Sequence, residues 1–182
     1  MRIQINKSAI HIMQGDITQQ NTDAIVNAAN SSLMGGGGVD GAIHRAGGPS
    51  ILEDCKRIVK EKGKLSTGKA VITSAGNMPS KHVIHTVGPV YSGGNSGEPE
   101  LLANAYRSSL TLAADNNLET VSLPSISTGV YGYPIKDAAR VAINIVIAFL
   151  RENTQLKLVR FVLFDDRTFA AYQEALNQLG KL

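Results

Sequence analysis

Four consecutive glycines, Gly35 to Gly38, stand directly before a segment, Val39 to Ala46, that reads as a short helix. Glycines in such a place leave backbone N–H groups uncovered by side chains, so an anion can approach them closely. The helix dipole adds about 0.3–1 kcal/mol for a negative group at that end. A loop without a ligand is the plain alternative, but ordering four glycines costs much chain entropy, which favours a ligand that holds them. A second loop of the same character, Ser125-Ile126-Ser127-Thr128-Gly129-Val130-Tyr131-Gly132-Tyr133-Pro134, joins an apolar strand to a long helix. In an open α/β sheet both loops emerge at the carboxyl ends of their strands, where ligands bind. Two such anion cradles suit a diphosphate flanked by two sugars better than a lone phosphate. Tyr131 and Tyr133 offer stacking faces, although Tyr133 could equally pack over the helix start.

Polar residues lie close to both loops. Asn27 and Asn30, at the end of the apolar run Ala24-Ile25-Val26, either make turn bonds or fix the hydroxyls of a sugar. Asp40 stands before Gly41-Ala42-Ile43 as a helix N-cap would, a role worth about 1 kcal/mol. It is equally suited to act as a base that activates a water beside the sugar, worth about 10²–10⁴ in rate. The two roles are compatible. Asp16, in Gly15-Asp16-Ile17-Thr18, ends a strand and either makes an Asx-turn or accepts from an exocyclic amine such as that of adenine. Phe164 closes the last strand, as a cover for a base or, the safer expectation, as buried core. His11, His44, His82 and His85 show no metal-ligand spacing. His82 and His85 read as strand residues, and His44 as a helix residue near the chemistry but outside it. No G-x-S-x-G elbow occurs, so a serine-hydrolase triad is unsupported.

Two motif matches fail on context. Gly63-Lys64-Leu65-Ser66-Thr67-Gly68-Lys69 begins like a phosphate-binding P-loop, yet Ala70 occupies the position of the magnesium-binding hydroxyl. The segment also runs from helix into strand, the reverse of what the motif needs. Gly36-Gly37-Gly38-Val39-Asp40-Gly41 fits G-x-G-x-x-G, but no acidic residue ends a second strand about 20 residues later to hold a dinucleotide ribose. Redox chemistry with a nicotinamide cofactor is therefore disfavoured.

The elements that position these residues follow from periodicity. Ile3-Gln4-Ile5 and Ile10-His11-Ile12-Met13 alternate as a hairpin around Asn6-Lys7-Ser8. Further strands are expected at Ala24–Val26, Ala70–Thr73, His82–Val87, Thr120–Leu123 and Leu158–Phe164. Ser50 and Glu53 form a capping-box pattern for a helix to about Lys62, whose apolar face includes Cys55. Pro99 starts a helix after the Gly/Ser loop Ser92–Glu98, and Pro134 starts another with Ile135, Ala138, Ala142, Ile145 and Phe149 inward. Phe169, Tyr172, Leu176 and Leu179 mark a closing helix stopped by Gly180. Strands alternating with helices predict a mixed, mostly parallel sheet covered on both faces, in one α/β domain over residues 1–182.

Composition sets the outer bounds. Hydrophobic residues make up 43% of the chain and charged ones 18%, which suits a buried core and excludes a disordered protein. The 18 basic and 15 acidic residues leave a net charge of +3, too small an excess to argue for nucleic acid. A lone cysteine, Cys55, excludes an internal disulfide framework and a multi-cysteine zinc site. No apolar run approaches the roughly 20 residues that span a bilayer. Met1-Arg2-Ile3-Gln4-Ile5 has no signal-peptide core, so a soluble cytoplasmic protein without membrane contact is expected.

Taken in order, Gly15–Thr18, Asp23–Asn30, Gly35–Gly48, Ile84-His85-Thr86-Val87-Gly88-Pro89 and Ser127–Pro134 resemble a macrodomain of the MacroD type over nearly the whole chain. The resemblance implies a three-layer α/β/α fold that binds ADP-ribose in a cleft at the carboxyl edge of its sheet. It implies that Asp16, with the Ile17 backbone, binds the adenine amine and that Phe164 lines that end. Gly35, Gly36, Gly37, Gly38 and Val39, with Ser127, Thr128, Gly129, Val130, Tyr131 and Gly132, would clasp the diphosphate. Asn27 and Asn30 would hold the distal ribose, Tyr131 would pack on it, and Asp40 with Asn30 would form the catalytic pair. Some members carry Phe where this chain has Tyr131. The implied activity is hydrolysis, by an Asp-oriented water and without metal or cofactor, of O-acetyl-ADP-ribose and of mono-ADP-ribose esters on acidic protein side chains. Two rivals stand beside it: a non-catalytic ADP-ribose reader, and an RNA-regulatory protein motivated only by the pI near 9.

Overall fold

The structure, a computed structural model, describes residues 1–179; the expected stop at Gly180 lies outside them. The chain opens with β1 (Arg2–Ile5) and β2 (Ser8–Gln14), paired antiparallel. Asn6 takes the left-handed conformation, φ 54°, that a two-residue reversal requires. β3 (Ala24–Ala28) then leads to α1 (Gly38–Gly47) and α2 (Pro49–Lys62), followed by β4 (Ala70–Ser74) and β5 (His82–Thr86). α3 (Glu98–Asp115), β6 (Thr120–Leu123), α4 (Ile135–Glu152), β7 (Leu158–Leu163) and α5 (Asp166–Leu179) complete it.

The seven strands form one sheet in the order β1-β2-β7-β6-β3-β5-β4. The pairs β2–β7, β7–β6, β6–β3 and β3–β5 are parallel, and the antiparallel β1 and β4 close the two edges. Alternate residues of each strand feed two separate cores. Ala24, Val26, Ile84, Val121 and Phe161 pack under α3, α4 and α5. Ile25, Val83 and Val162 pack under α1 and α2, with Ile43, Ile51 and Cys55. The expected mixed α/β sheet covered on both faces is the observed one. Among the described residues no helix is long and apolar enough to cross a membrane.

Local chemistry corrects three expectations. Ser50 does not cap α2: Gly48 precedes the helix at φ 80° and Pro49 occupies its first turn, with no side-chain capping bond. Proline at that place has its φ preset and no N–H to satisfy, so the helix starts two residues earlier than the Ser–Glu pattern suggests. In α4 the inward stripe is Ala138, Ala139, Ala142, Ile143, Val146, Ile147 and Leu150, while Ile135, Ile145 and Phe149 are only half-buried at its border. Phe164 is not core at all. It follows the last registered residue of β7 and is 85% exposed.

Candidate functional site

β3 pairs with β5 along all its five residues but with β6 only at Ala24–Val121 and Ile25–Ser122. Beyond those pairs the two central strands separate. The chain leaving β3 passes through α1 and α2 to β4 on one side, and the chain leaving β6 passes through α4 to β7 on the other. Oppositely directed connections at adjacent parallel strands open a crevice at their carboxyl ends. Here the crevice is a cleft of about 690 Å³, within the range of ligand pockets.

Its two long walls are the glycine loops. The N–H groups of residues 37–40 belong to the N-terminus of α1, where the capping residue is Gly37 and no side chain supplies a cap. Asp40 is therefore not the N-cap expected of it: it sits in the first helical turn, and the free amide ends remain for a ligand. On the opposite wall, Ile126 N–H, Gly132 N–H and Tyr133 N–H are bonded internally. The N–H groups of residues 127–131 find no acceptor among the described residues. Ser127 holds a left-handed φ of 68°, the kind of strained backbone that accompanies binding loops. Its hydroxyl is buried without a partner. Val130, fully exposed, and the half-buried Tyr131 form the outer lip, while Tyr133 is buried against Tyr91.

This second wall is fastened from below by two core tyrosines. Tyr106 Oη donates to the Pro124 carbonyl at 3.0 Å and accepts from Ile126 N–H at 3.0 Å. Tyr172 Oη, 3.2 Å from Tyr106 Oη, donates to Ser125 Oγ at 3.0 Å. Burial pushes both phenols above their ordinary range, so they stay protonated.

At one end of the cleft lie Asp16, Ile17 and Phe164. Asp16 Oδ1 accepts from Thr18 N–H at 2.8 Å and from its hydroxyl at 2.7 Å, so the Asx-turn is real. It uses that one oxygen and leaves Oδ2 for another donor.

At the other end Asn30, Asp40 and Arg45 line the cleft. A methyl placed on Gly36 would stand 3.2 Å from Asp40 Oδ2 and 3.3 Å from Asn30 Nδ2, so those two polar groups converge on the same side of the loop. Asn30 Nδ2 also donates to the Gly35 carbonyl at 2.9 Å, which ties the glycine run to the end of β3. Neither Gly35 nor Gly132 reaches the cleft wall.

Asn27 requires a correction. It does not face the cleft but is wholly buried beneath Asp40, donating from Nδ2 to Asp40 Oδ1 at 2.8 Å. The same nitrogen lies 3.1 Å from His85 Nδ1, and His85 Nε2 lies 2.9 Å from Thr73 Oγ1. Burial, with His44 nearby, pushes the His85 imidazole down to about 3, so it is neutral. His44 Nε2 approaches Asp40 Oδ1 to 3.4 Å. Both histidines thus touch the site's carboxylate or its support, a role that sequence reasoning missed. The available signal was a polar residue on each of two adjacent strands, Asn27 and His85, in otherwise apolar runs. Among the described residues no group of three or more His, Cys, Asp or Glu is placed to hold a metal ion.

A three-layer α/β/α sheet with a glycine-walled crevice at its switch point defines a doubly wound type of α/β domain. The Macro domain family model matches residues 26–142, and the chain belongs to that family. It is 53% identical over 174 residues to a protein from Citrobacter koseri named O-acetyl-ADP-ribose deacetylase, covering 96% of this chain and 98% of that one. The Oceanobacillus iheyensis macrodomain with ADP superposes with a TM-score of 0.96 at 48% identity, over 100% of this chain and 96% of that one. A Trypanosoma brucei macrodomain in complex with ADP-ribose superposes with a TM-score of 0.84 at 39% identity, over 92% of this chain and 68% of that one.

Proposed function

We propose that this protein binds ADP-ribose in the cleft and hydrolyses its esters, O-acetyl-ADP-ribose and mono-ADP-ribose on acidic protein side chains. One observation carries the reading. Two stretches with unpaired backbone amides, residues 37–40 and 127–131, line one cleft together with a carboxylate, Asp40, whose one oxygen is held from behind by Asn27 and whose other oxygen lies on the same side of the Gly36 loop as Asn30 Nδ2. The names and ligands of the relatives support its ADP-ribose-binding and O-acetyl-ADP-ribose deacetylase parts.

In this reading the adenine lies between Asp16 and Phe164, and its amine donates to Asp16 Oδ2. The diphosphate meets the amides of residues 37–40 and 127–131, whose fixed dipoles need no reorganisation to receive charge. The distal ribose then reaches Asn30 and Asp40, with Tyr131 against it. Asp40 orients a water and takes its proton. Attack of that water on the acyl carbon forms a new C–O bond and breaks the ester bond, and the sugar oxygen recovers a proton. Acetate and ADP-ribose leave. The same attack on an ester to an Asp or Glu side chain frees the protein.

Asp40→Asn tests this directly. Asparagine keeps an acceptor toward Asn27 and costs only the first-turn charge, about 0.3–1 kcal/mol. The variant is expected to fold, to bind ADP-ribose in calorimetry, and to lose about 10²-fold or more in turnover of O-acetyl-ADP-ribose. Full activity would remove Asp40 from the mechanism. A wild-type protein that binds ADP-ribose but leaves the acetyl ester intact is a reader and not an enzyme.

A further inference from the structure

A row of polar side chains crosses three neighbouring strands on the face covered by α1 and α2. Asn27 on β3 is registered with His85 on the adjacent β5, and Thr73 on the edge strand β4 lies diagonally beyond. All three are nearly or wholly buried, in surroundings that are otherwise apolar.

Their hydrogen bonds leave one consistent assignment. Asp40 Oδ1 can only accept, so Asn27 must present its NH₂ to it at 2.8 Å; the reversed amide would set two oxygens against each other. The second N–H of the same nitrogen then faces His85 Nδ1, which must be the unprotonated ring nitrogen. Nε2 carries the proton and donates to Thr73 Oγ1, and Thr73 donates onward to the Ser74 carbonyl at 3.0 Å. Asn27 Oδ1 is left buried without any partner, so its orientation is enforced by what its nitrogen holds.

We propose that Thr73 and His85 are positioning residues for the hydrolysis, fixing through Asn27 the carboxylate orientation that Asp40 presents to the water. The inference rests on the functional reading above. It assigns work to a histidine that touches neither the cleft nor the ligand, and it makes an imidazole tautomer part of the site's geometry.

The test measures kcat and KM on O-acetyl-ADP-ribose, the calorimetric Kd for ADP-ribose, and thermal stability, for paired variants. His85→Leu removes the acceptor facing Asn27. It should lower kcat about 10-fold or more, in line with the sensitivity of rate to small misplacements, and leave Kd within about 2-fold. His85→Asn supplies an oxygen where Nδ1 stood and should restore most of the loss. Thr73→Val is nearly isosteric and serves if His85→Leu fails to fold. It lets the proton move to Nδ1, where it opposes the Asn27 N–H, and should lower kcat about 3- to 10-fold, with Thr73→Ser restoring it. Wild-type kcat in folded His85→Leu or Thr73→Val overturns the proposal. So does a loss shared equally by kcat and ADP-ribose affinity, or one that Asn and Ser fail to rescue. Asp40→Asn in the same assay separates the two levels. An active Asp40→Asn sinks the functional reading, whereas an inactive one beside unaffected His85 and Thr73 variants sinks only the positioning role.

Discussion

Tyr106→Phe removes one oxygen atom from the centre of the molecule, and its cost can be worked from the bonds that oxygen makes. The hydroxyl receives Ile126 N–H and donates to the Pro124 carbonyl, both at 3.0 Å and both buried. Phenylalanine fills the same volume, so packing against Phe161 is kept and no cavity term arises. What remains is a buried amide without an acceptor, a desolvation cost of about 1–3 kcal/mol. Tyr172 keeps Ser125 as a partner and adds little. For a chain of 182 residues, each kcal/mol moves the melting temperature by about 2–4 °C, so the expected fall is roughly 2–12 °C. The strain falls on the Pro124–Thr128 stretch, so ADP-ribose affinity should weaken as well. Urea titration and calorimetry read both effects. A variant within about 0.5 kcal/mol of wild type would refute the idea that these hydroxyls hold the second wall.

Phe164→Ala should leave stability unchanged, because the ring is 85% exposed, and should weaken ADP-ribose binding by the worth of base stacking, about 1–3 kcal/mol or roughly 5- to 150-fold. Unaltered calorimetric affinity would take the base away from that ring. His85, held near 3 when folded and close to 6.5 when unfolded, binds its proton in the unfolded chain first as pH falls. Its contribution is fully present above about pH 6.5 and is lost toward pH 3, at up to about 1.4 kcal/mol per pH unit. His44 nearby strengthens that loss and Asp54 opposes it. Urea midpoints from pH 7 to pH 4 should therefore converge between wild type and His85→Asn; parallel curves would contradict it.

The glycine loops were legible because their signal is local: glycine before a helix exposes amides whatever the rest of the chain does. The strand order was not legible, but alternation of strands and helices was enough for a mostly parallel, two-faced sheet. Phe164 was misread because Leu163-Phe164 looks like the continuation of an apolar strand; the register with β2 ends at Leu163, and the next side chain swings out. Asn27 was read as facing a ligand because its partners are invisible locally: His85 is 58 positions away and meets it only when parallel strands align. Ser50 lost its capping role to the proline before it. For Phe164 and Asn27 a short-range pattern was overruled by contacts between distant parts of the chain, and for Ser50 by its own neighbour.

The separation of β3 from β6 has a mechanical side. One lip of the crevice is moored, through Asn27 and His85, in the layer beneath α1 and α2, and the other, through Tyr106 and Tyr172, in the layer beneath α3 to α5. A guest that grips both lips stitches two hydrophobic layers together across the seam in the sheet. Tight gripping and overall rigidity are then the same property, measured from two sides.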